Sequence, residues 1–342
     1  MSANNGLSCL IIGCGNIAGG YDADRSAPQR PPLTHAGAYL RNGGFVLTAG
    51  VEPDTKTREA FLHRWGIARG FGSMAELSGE LETIDVVSIC SPTPSHRADL
   101  AEALRLRPKV VFCEKPLASS VADAQTIVAD CAAARTTLIV NYNRRWDPRV
   151  AEFREQLKSG EWGALRSVSG IYNRGVCNNG SHMVDLLHLL LGELTLRSTG
   201  KPVQDGLPGD PSIPLALDTA SGVPVYISCG NAGDYSLFEL QIVTERGILM
   251  MEDGGLFWRI RRARPSPVFR SYRSLGAGGR RVRGGLQEAM MRAVEEIANL
   301  ARGPGAPSSS GPNALAALRI CESALHLATG RQLPALQRQQ TG

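Results

Sequence analysis

The chain has 342 residues, 43% of them apolar and 20% charged, with a formal net charge of +5. That is enough apolar material for about two domains, and no apolar run reaches the roughly 18 residues that a membrane-spanning helix needs. Five of the 37 basic residues are lysine (Lys56, Lys109, Lys115, Lys158, Lys201) and the other 32 arginine; the bias runs along the whole chain, so it reads as composition and no nucleic-acid partner is expected.

The N-terminus, Met1 to Gly6, is polar and lacks the basic and apolar regions of a signal peptide, so a soluble cytoplasmic protein is expected. Eight cysteines stand singly without a C-x-x-C pair and read as buried thiols, with neither disulfides nor a zinc site.

Leu7 to Ile12 is a short apolar run that ends in Gly13-Cys14-Gly15-Asn16-Ile17-Ala18. This G-x-G-x-x-A turn lets the backbone approach a pyrophosphate, and the small Ala18 permits close packing of helix on strand. A second strand is expected over Phe45 to Val51, with Glu52 at its carboxyl end, where an acid can accept from the ribose hydroxyls of NAD and repel the extra phosphate of NADP. Between them lies a proline- and glycine-rich segment, residues 19–32, that cannot continue a helix. It is either a lid carrying Tyr21, Asp22 or Arg25 toward substrate or an ordinary surface insertion. The helix resumes near Thr34 to Leu40.

Further strands are expected at Ala68 to Phe71, Asp85 to Cys90, Lys109 to Glu114 and Thr137 to Asn141. The intervening helices are Thr55 to Trp65, one running to Leu106 with Ser95 as N-cap, and Val121 to Ala134. Six strands with helical connections make a doubly wound parallel sheet, a Rossmann domain over residues 1–142. Residues 143–342 read differently. Helices at Asp147 to Ser159 and Ser181 to Leu191 accompany strands at Leu165 to Tyr172, Val223 to Ser228, Leu237 to Thr244 and Ile248 to Glu252. Two closing helices, Leu286 to Ala301 and Asn313 to Thr329, complete an α/β domain with a mostly antiparallel sheet. Nine arginines between Arg259 and Arg283 read either as a solvated strand and loop or as a phosphate patch.

Two stretches carry the chemistry. Val110 to Leu117 is an apolar run that ends in Glu114-Lys115-Pro116, as a buried parallel strand does when it delivers charge to the ligand edge of a sheet. Lysine can return and release a proton where arginine cannot, so Lys115 is the first catalytic candidate. The second stretch is Asn178 to His188. Ser181 is expected to cap the helix, leaving His182 in its first turn, where the helix field favours the neutral ring; Asp185 lies one turn on and can orient it. His182, Asp185 and His188 rotate too far apart for a metal site.

The glycine turn, Ser91-Pro92-Thr93-Pro94-Ser95-His96, Glu114-Lys115-Pro116, residues 141–146, residues 180–185 and residues 324–331 together resemble the glucose-fructose oxidoreductase, inositol dehydrogenase and MocA family over essentially the whole chain. The resemblance implies a nicotinamide-dependent, NAD(P)-using dehydrogenase or reductase, usually acting on a ring hydroxyl of a sugar, cyclitol or nucleotide sugar. It implies a homodimer or homotetramer built through the C-terminal open sheet. It places Gly13, Gly15, Asn16, Ile17, Glu52, Ser91, Pro92, Thr93, His96, Glu114 and Lys115 at the cofactor, with Glu114 supporting the site. Lys115 stands by the nicotinamide and the reacting oxygen, and His182 is the acid/base. Tyr142, Arg145, Asn178 and Asp185 are expected at the substrate. Many polyol-oxidising members carry aspartate where this chain has Asn178, and an amide cannot take a proton. The proton then falls to His182 or Lys115, and the substrate expectation moves toward nucleotide-linked sugars. The alternatives are a redox-neutral enzyme that recycles bound NAD and a non-catalytic NAD-binding partner.

Overall fold

The computed structural model describes residues 6–23, 30–77, 79–81 and 83–330. It divides into two compact units: the chain up to Ala151 with Gly285–Ala316, and Glu152–Gly284 with the chain from Ala317 onward. The first unit alternates β1 (Leu7–Ile12), α1 (His35–Asn42), β2 (Phe45–Val51), α2 (Thr55–Trp65), β3 (Gly70–Phe71), α3 (Met74–Leu77), β4 (Val86–Ile89), α4 (His96–Ala103), β5 (Val110–Cys113), α5 (Val121–Ala133) and β6 (Thr137–Val140). The six strands form one sheet in the order β3-β2-β1-β4-β5-β6, every pair parallel. β4 and β5 are buried along their whole length, the signature of a parallel sheet covered on both faces. The order reverses between β1 and β4, which opens a crevice at their carboxyl ends.

The boundary falls within α6 (Pro148–Lys158), and the second unit continues with β7 (Leu165–Tyr172), α7 (Ser181–Leu191), β8 (Leu194–Thr199), β9 (Leu215–Thr219), β10 (Pro224–Cys229), β11 (Phe238–Thr244), β12 (Gly247–Glu252), β13 (Phe257–Pro265), β14 (Arg273–Leu275) and β15 (Arg280–Arg283). Their sheet runs β14-β13-β12-β11-β7-β10-β9-β8, with β15 beside β13, and among its pairs only β7 with β10 is parallel. Strands β11 and β12 alternate buried and half-buried residues, so one face packs and the other is open. The arginine cluster falls on β13 to β15 and the loops between them. Part of its charge is matched locally: Arg259 and Arg281 pair with Glu252, and Arg262 pairs with Glu161 while stacking 3.6 Å over Trp162.

The closing helices are α8 (Ala289–Arg302) and α9 (Gly311–Thr329). The apolar face of α8, from Ala289 through Val294 to Ala301, joins the same core as Ala36, Tyr39 and Phe112 of the first unit. This packing sets the unit boundary differently from the expected division at residue 142: the first unit runs on to Ala151 and takes residues 285–316 back. The link that follows α8 also covers the open edge of β6, where Val140 donates to Ser309 O at 2.9 Å and Ser309 Oγ to Val140 O at 2.6 Å.

Two expected caps are absent. A 3-10 turn, Thr93–Ser95, leads into α4 and leaves Ser95 in a helical conformation, from which its hydroxyl makes no cap. A π-helical turn, Gly175–Gly180, runs directly into α7, and Ser181 Oγ donates backward to Asn178 O at 3.0 Å. His182 therefore does not sit at an open helix end, and the helix-field argument for its neutral form loses its basis. Residue Arg25 of the 19–32 segment, with Arg331, lies outside the described residues. Asp22 does not reach outward: it is 7% exposed and its carboxylate accepts from Leu33 N, Thr34 N and Thr34 Oγ1 at 2.6–3.1 Å.

Candidate active site

Gly13 ends β1 with φ +84°, and a Cβ there would lie 2.4 Å from Ser91 N, so only glycine lets the loops after β1 and β4 meet. Glu52 is tied to the same turn: Oε2 accepts from Cys14 N at 3.0 Å and Oε1 from Asp54 N at 3.1 Å. Gly15 and Asn16 are exposed and Ile17 half-buried. A cavity of about 430 Å³ opens here, lined among others by Gly13, Glu52, Ser91, Pro92, Asp99 and Glu102. Asp99 accepts from Ser91 Oγ at 2.5 Å, and burial pushes its carboxyl above the usual aspartate value. Thr93 is half-buried in the following turn. Burial also raises the Cys14 thiol to about 12, which makes it a packing residue rather than a nucleophile.

His96, expected at the cofactor, is 1% exposed; Nε2 lies 2.9 Å from Ser91 O and Nδ1 3.2 Å from Leu117 O. It clamps the loop after β4 to the loop after β5 and shapes the crevice from behind. The β5 loop carries Glu114, buried, and Lys115, half-buried, before a cis Lys115–Pro116 bond. Glu114 Oε1 receives two donors, His35 Nε2 at 3.0 Å and Asn141 Nδ2 at 2.7 Å. Burial opposes its ionisation, but the His35 and Asn141 donors and the Lys115 charge outweigh it and hold the carboxyl below the ordinary glutamate value.

In the second unit, Asp210 holds the π-helical turn by accepting from Cys177 N at 2.8 Å and Asn178 N at 2.9 Å. Asp205 does the same one step earlier, at Arg174 N, and takes Ser212 Oγ at 2.8 Å. Burial raises the Asp210 carboxyl, against the pull of those backbone donors. Asn178 donates from Nδ2 to Arg174 O at 3.0 Å. His182 is half-buried, and Asp185, three residues on, is buried.

The first unit thus brings together Gly13, Glu52, Ser91, Pro92 and Lys115 at the carboxyl ends of its strands. Tyr142 is 1% exposed, and Arg145 is half-buried and donates to Ser308 O at 3.1 Å. Asn178, His182 and Asp185 share the turn and first helical residues of the second unit. Sequence reasoning missed His35, Asp99, Asp205 and Asp210. His35 alone left a signal, as a histidine that opens a helix whose next residues are Ala36, Gly37, Ala38 and Tyr39.

Residues 7–142 match the model of an oxidoreductase family with an NAD-binding Rossmann fold. Among curated relatives, a D-apiose dehydrogenase from Paraburkholderia graminis is 27% identical over 58% of this chain and 57% of its own length. An inositol 2-dehydrogenase from Rhizobium meliloti is 28% identical over 59% of this chain and 66% of its own; the match spans less than two thirds of either relative. An oxidoreductase from Agrobacterium radiobacter, solved with NAD+, L-tartaric acid and magnesium, has the same fold at a TM-score of 0.73 and 21% identity, over 95% of this chain and 97% of that one. The glycine turn, Glu52 and the Glu-Lys-Pro element all lie within the residues, 7–142, that match the model of the glucose-fructose oxidoreductase, inositol dehydrogenase and MocA oxidoreductase family with its NAD-binding Rossmann fold.

Proposed function

We propose that the chain is an NAD-dependent oxidoreductase acting reversibly on a secondary hydroxyl of a sugar, cyclitol or nucleotide-linked sugar. The observation that carries this reading is Lys115, delivered at the end of β5 beside a buried, ionised Glu114 in a sheet whose switch point has the glycine turn of a dinucleotide site. The fit to NAD rests on Gly13, which leaves room for no Cβ, and on a cavity lined by three acids, Glu52, Asp99 and Glu102. Acids there accept from ribose hydroxyls and disfavour a second phosphate, so NAD is preferred to NADP. Bound NAD supplies the hydride acceptor.

The chain's own residues handle the proton and the oxygen. In the proposed reaction the Lys115 ammonium would stabilise the developing alkoxide and His182 would accept the hydroxyl proton, each step needing a hydrogen-bond reach of about 2.6–3.2 Å. Asn178, an amide already donating to Arg174 O, positions a hydroxyl but takes no proton. The test is turnover of a sugar or cyclitol, found by a thermal-shift screen with NAD present. Lys115→Met and His182→Ala should each remove most of it; near wild-type rates in both would overturn the reading. We also propose that the open face of the second sheet, bearing Ser169, Glu239, Gln241 and Arg259, associates with a second copy of the chain; a monomer mass in solution would exclude it.

A further inference from the structure

Residues 17–22 and 33–36 meet at the start of α1. The interrupted crossover is stitched shut by His35 N to Ile17 O at 3.2 Å and Ala36 N to Ala18 O at 2.9 Å. Asp22 grips Leu33 and Thr34, and Thr34 Oγ1 caps α1 by accepting from Gly37 N at 3.2 Å. The helix therefore restarts with His35 as its first residue, fully buried under the sheet.

From there a line of hydrogen bonds runs to the site. Tyr39 OH meets Ser88 Oγ at 2.8 Å, Ser88 Oγ meets His35 Nδ1 at 3.0 Å, and His35 Nε2 meets Glu114 Oε1 at 3.0 Å. With His35 protonated on Nε2, each hydroxyl donates to the next group and the line ends on the carboxylate. The ring also lies 4.4 Å from the ring of Phe112 on β5, two residues before Glu114, so that strand fixes its orientation as well. All four residues of the line are buried. A buried pair such as His35–Glu114 can often be replaced as a whole by packed apolar side chains without loss of stability. Its neighbour Lys115 gives the reason for keeping it.

We propose that His35 is a positioning residue for Lys115: its donation to Glu114 at 3.0 Å fixes, in place and in charge, the carboxylate of the residue from which Lys115 directly follows in the chain. The proposal rests on Lys115 being the reacting lysine only in its kinetic arm.

The direct test needs no substrate. In the full chain, lysines are acetylated with acetic anhydride and the rate at each is read by mass spectrometry. His35→Leu should change the Lys115 rate at least about threefold, because it removes the donor that holds its carboxylate partner, while Lys56 and Lys109 of the same unit keep their rates. His35→Gln, which keeps an N–H near the Nε2 position, should return Lys115 toward the wild-type rate. A uniform rise at all three lysines would show loosened folding instead, and an unchanged Lys115 rate would show no coupling; either overturns the proposal. In the kinetic arm, His35→Leu should lower kcat about 10- to 100-fold with KM and NAD affinity within about twofold. A changed acetylation rate with unchanged kcat would leave the positioning standing and remove Lys115 from the reaction.

Discussion

Asn178 donates from its side-chain amide to the carbonyl of Arg174 at 3.0 Å, across one turn whose first residue, Arg174, holds φ 69°. A carboxylate at this place would set oxygen against oxygen, a few ångströms from the Asp210 carboxylate that already holds the Asn178 backbone N–H. Asparagine is thus built into the turn. Asn178→Asp should cost about 1–3 kcal/mol of stability through the lost donor and the new repulsion. It should not raise turnover. A variant that melts with wild type and works faster would show the amide to be a replaceable substitute for a base.

Glu114 makes acid stability site-specific. Its folded-state value lies below the ordinary 4.5, so the ionised group stabilises the fold fully above about pH 4.5, and that contribution is lost as pH falls toward the folded value. Urea unfolding followed downward from neutral pH should steepen there, by at most about 1.4 kcal/mol per pH unit from this residue. Glu114→Gln should be less stable at neutral pH and show a shallower acid slope. Parallel slopes in the two proteins would mean that His35 and Asn141 do not hold the charge.

Glu52 and the glycine turn share a hydrogen bond, so cofactor preference and turn geometry are linked. Glu52→Ser should weaken NAD and gain NADP, shifting the ratio of their kcat/KM values about 10-fold or more toward NADP. Asp99 and Glu102 remain in the cavity and limit the gain. An unchanged ratio would place the selectivity with those two acids.

Gly13→Ala asks for a Cβ where Ser91 N stands and for a side chain at φ +84°. The loops after β1 and β4 cannot both stay. The variant should lose about 2–4 kcal/mol of stability and its NAD binding, read by thermal melting and by titration with NAD. Wild-type melting would mean that the turn gives way more easily than its close contact implies.

The parallel sheet was legible because its signals are local. Buried strands such as Val110–Cys113 are unbroken apolar runs, and helices such as Thr55–Trp65 stand between turn residues. Lys115 was legible because lysine is scarce in this chain and this one ends a buried strand. The partners of the arginine-rich strands β13 to β15 were not: Arg259, Arg262 and Arg281 meet Glu252, Glu161 and two aromatic rings that pattern alone does not bring near.

The sequence by itself determined the alternation of strands and helices, the glycine turn with its acid at Glu52, and which lysine and histidine to suspect, since each depends on residues adjacent in the chain. Only the tertiary structure decided that α8 completes the Rossmann core, that Asp22 turns inward, that His96 is a clamp and that His35 stands behind Glu114. Those outcomes depend on which polar groups folding buries together. A carboxylate at position 114 reads the same in a sequence whether water or a histidine 79 residues away satisfies it, and only packing removes the water.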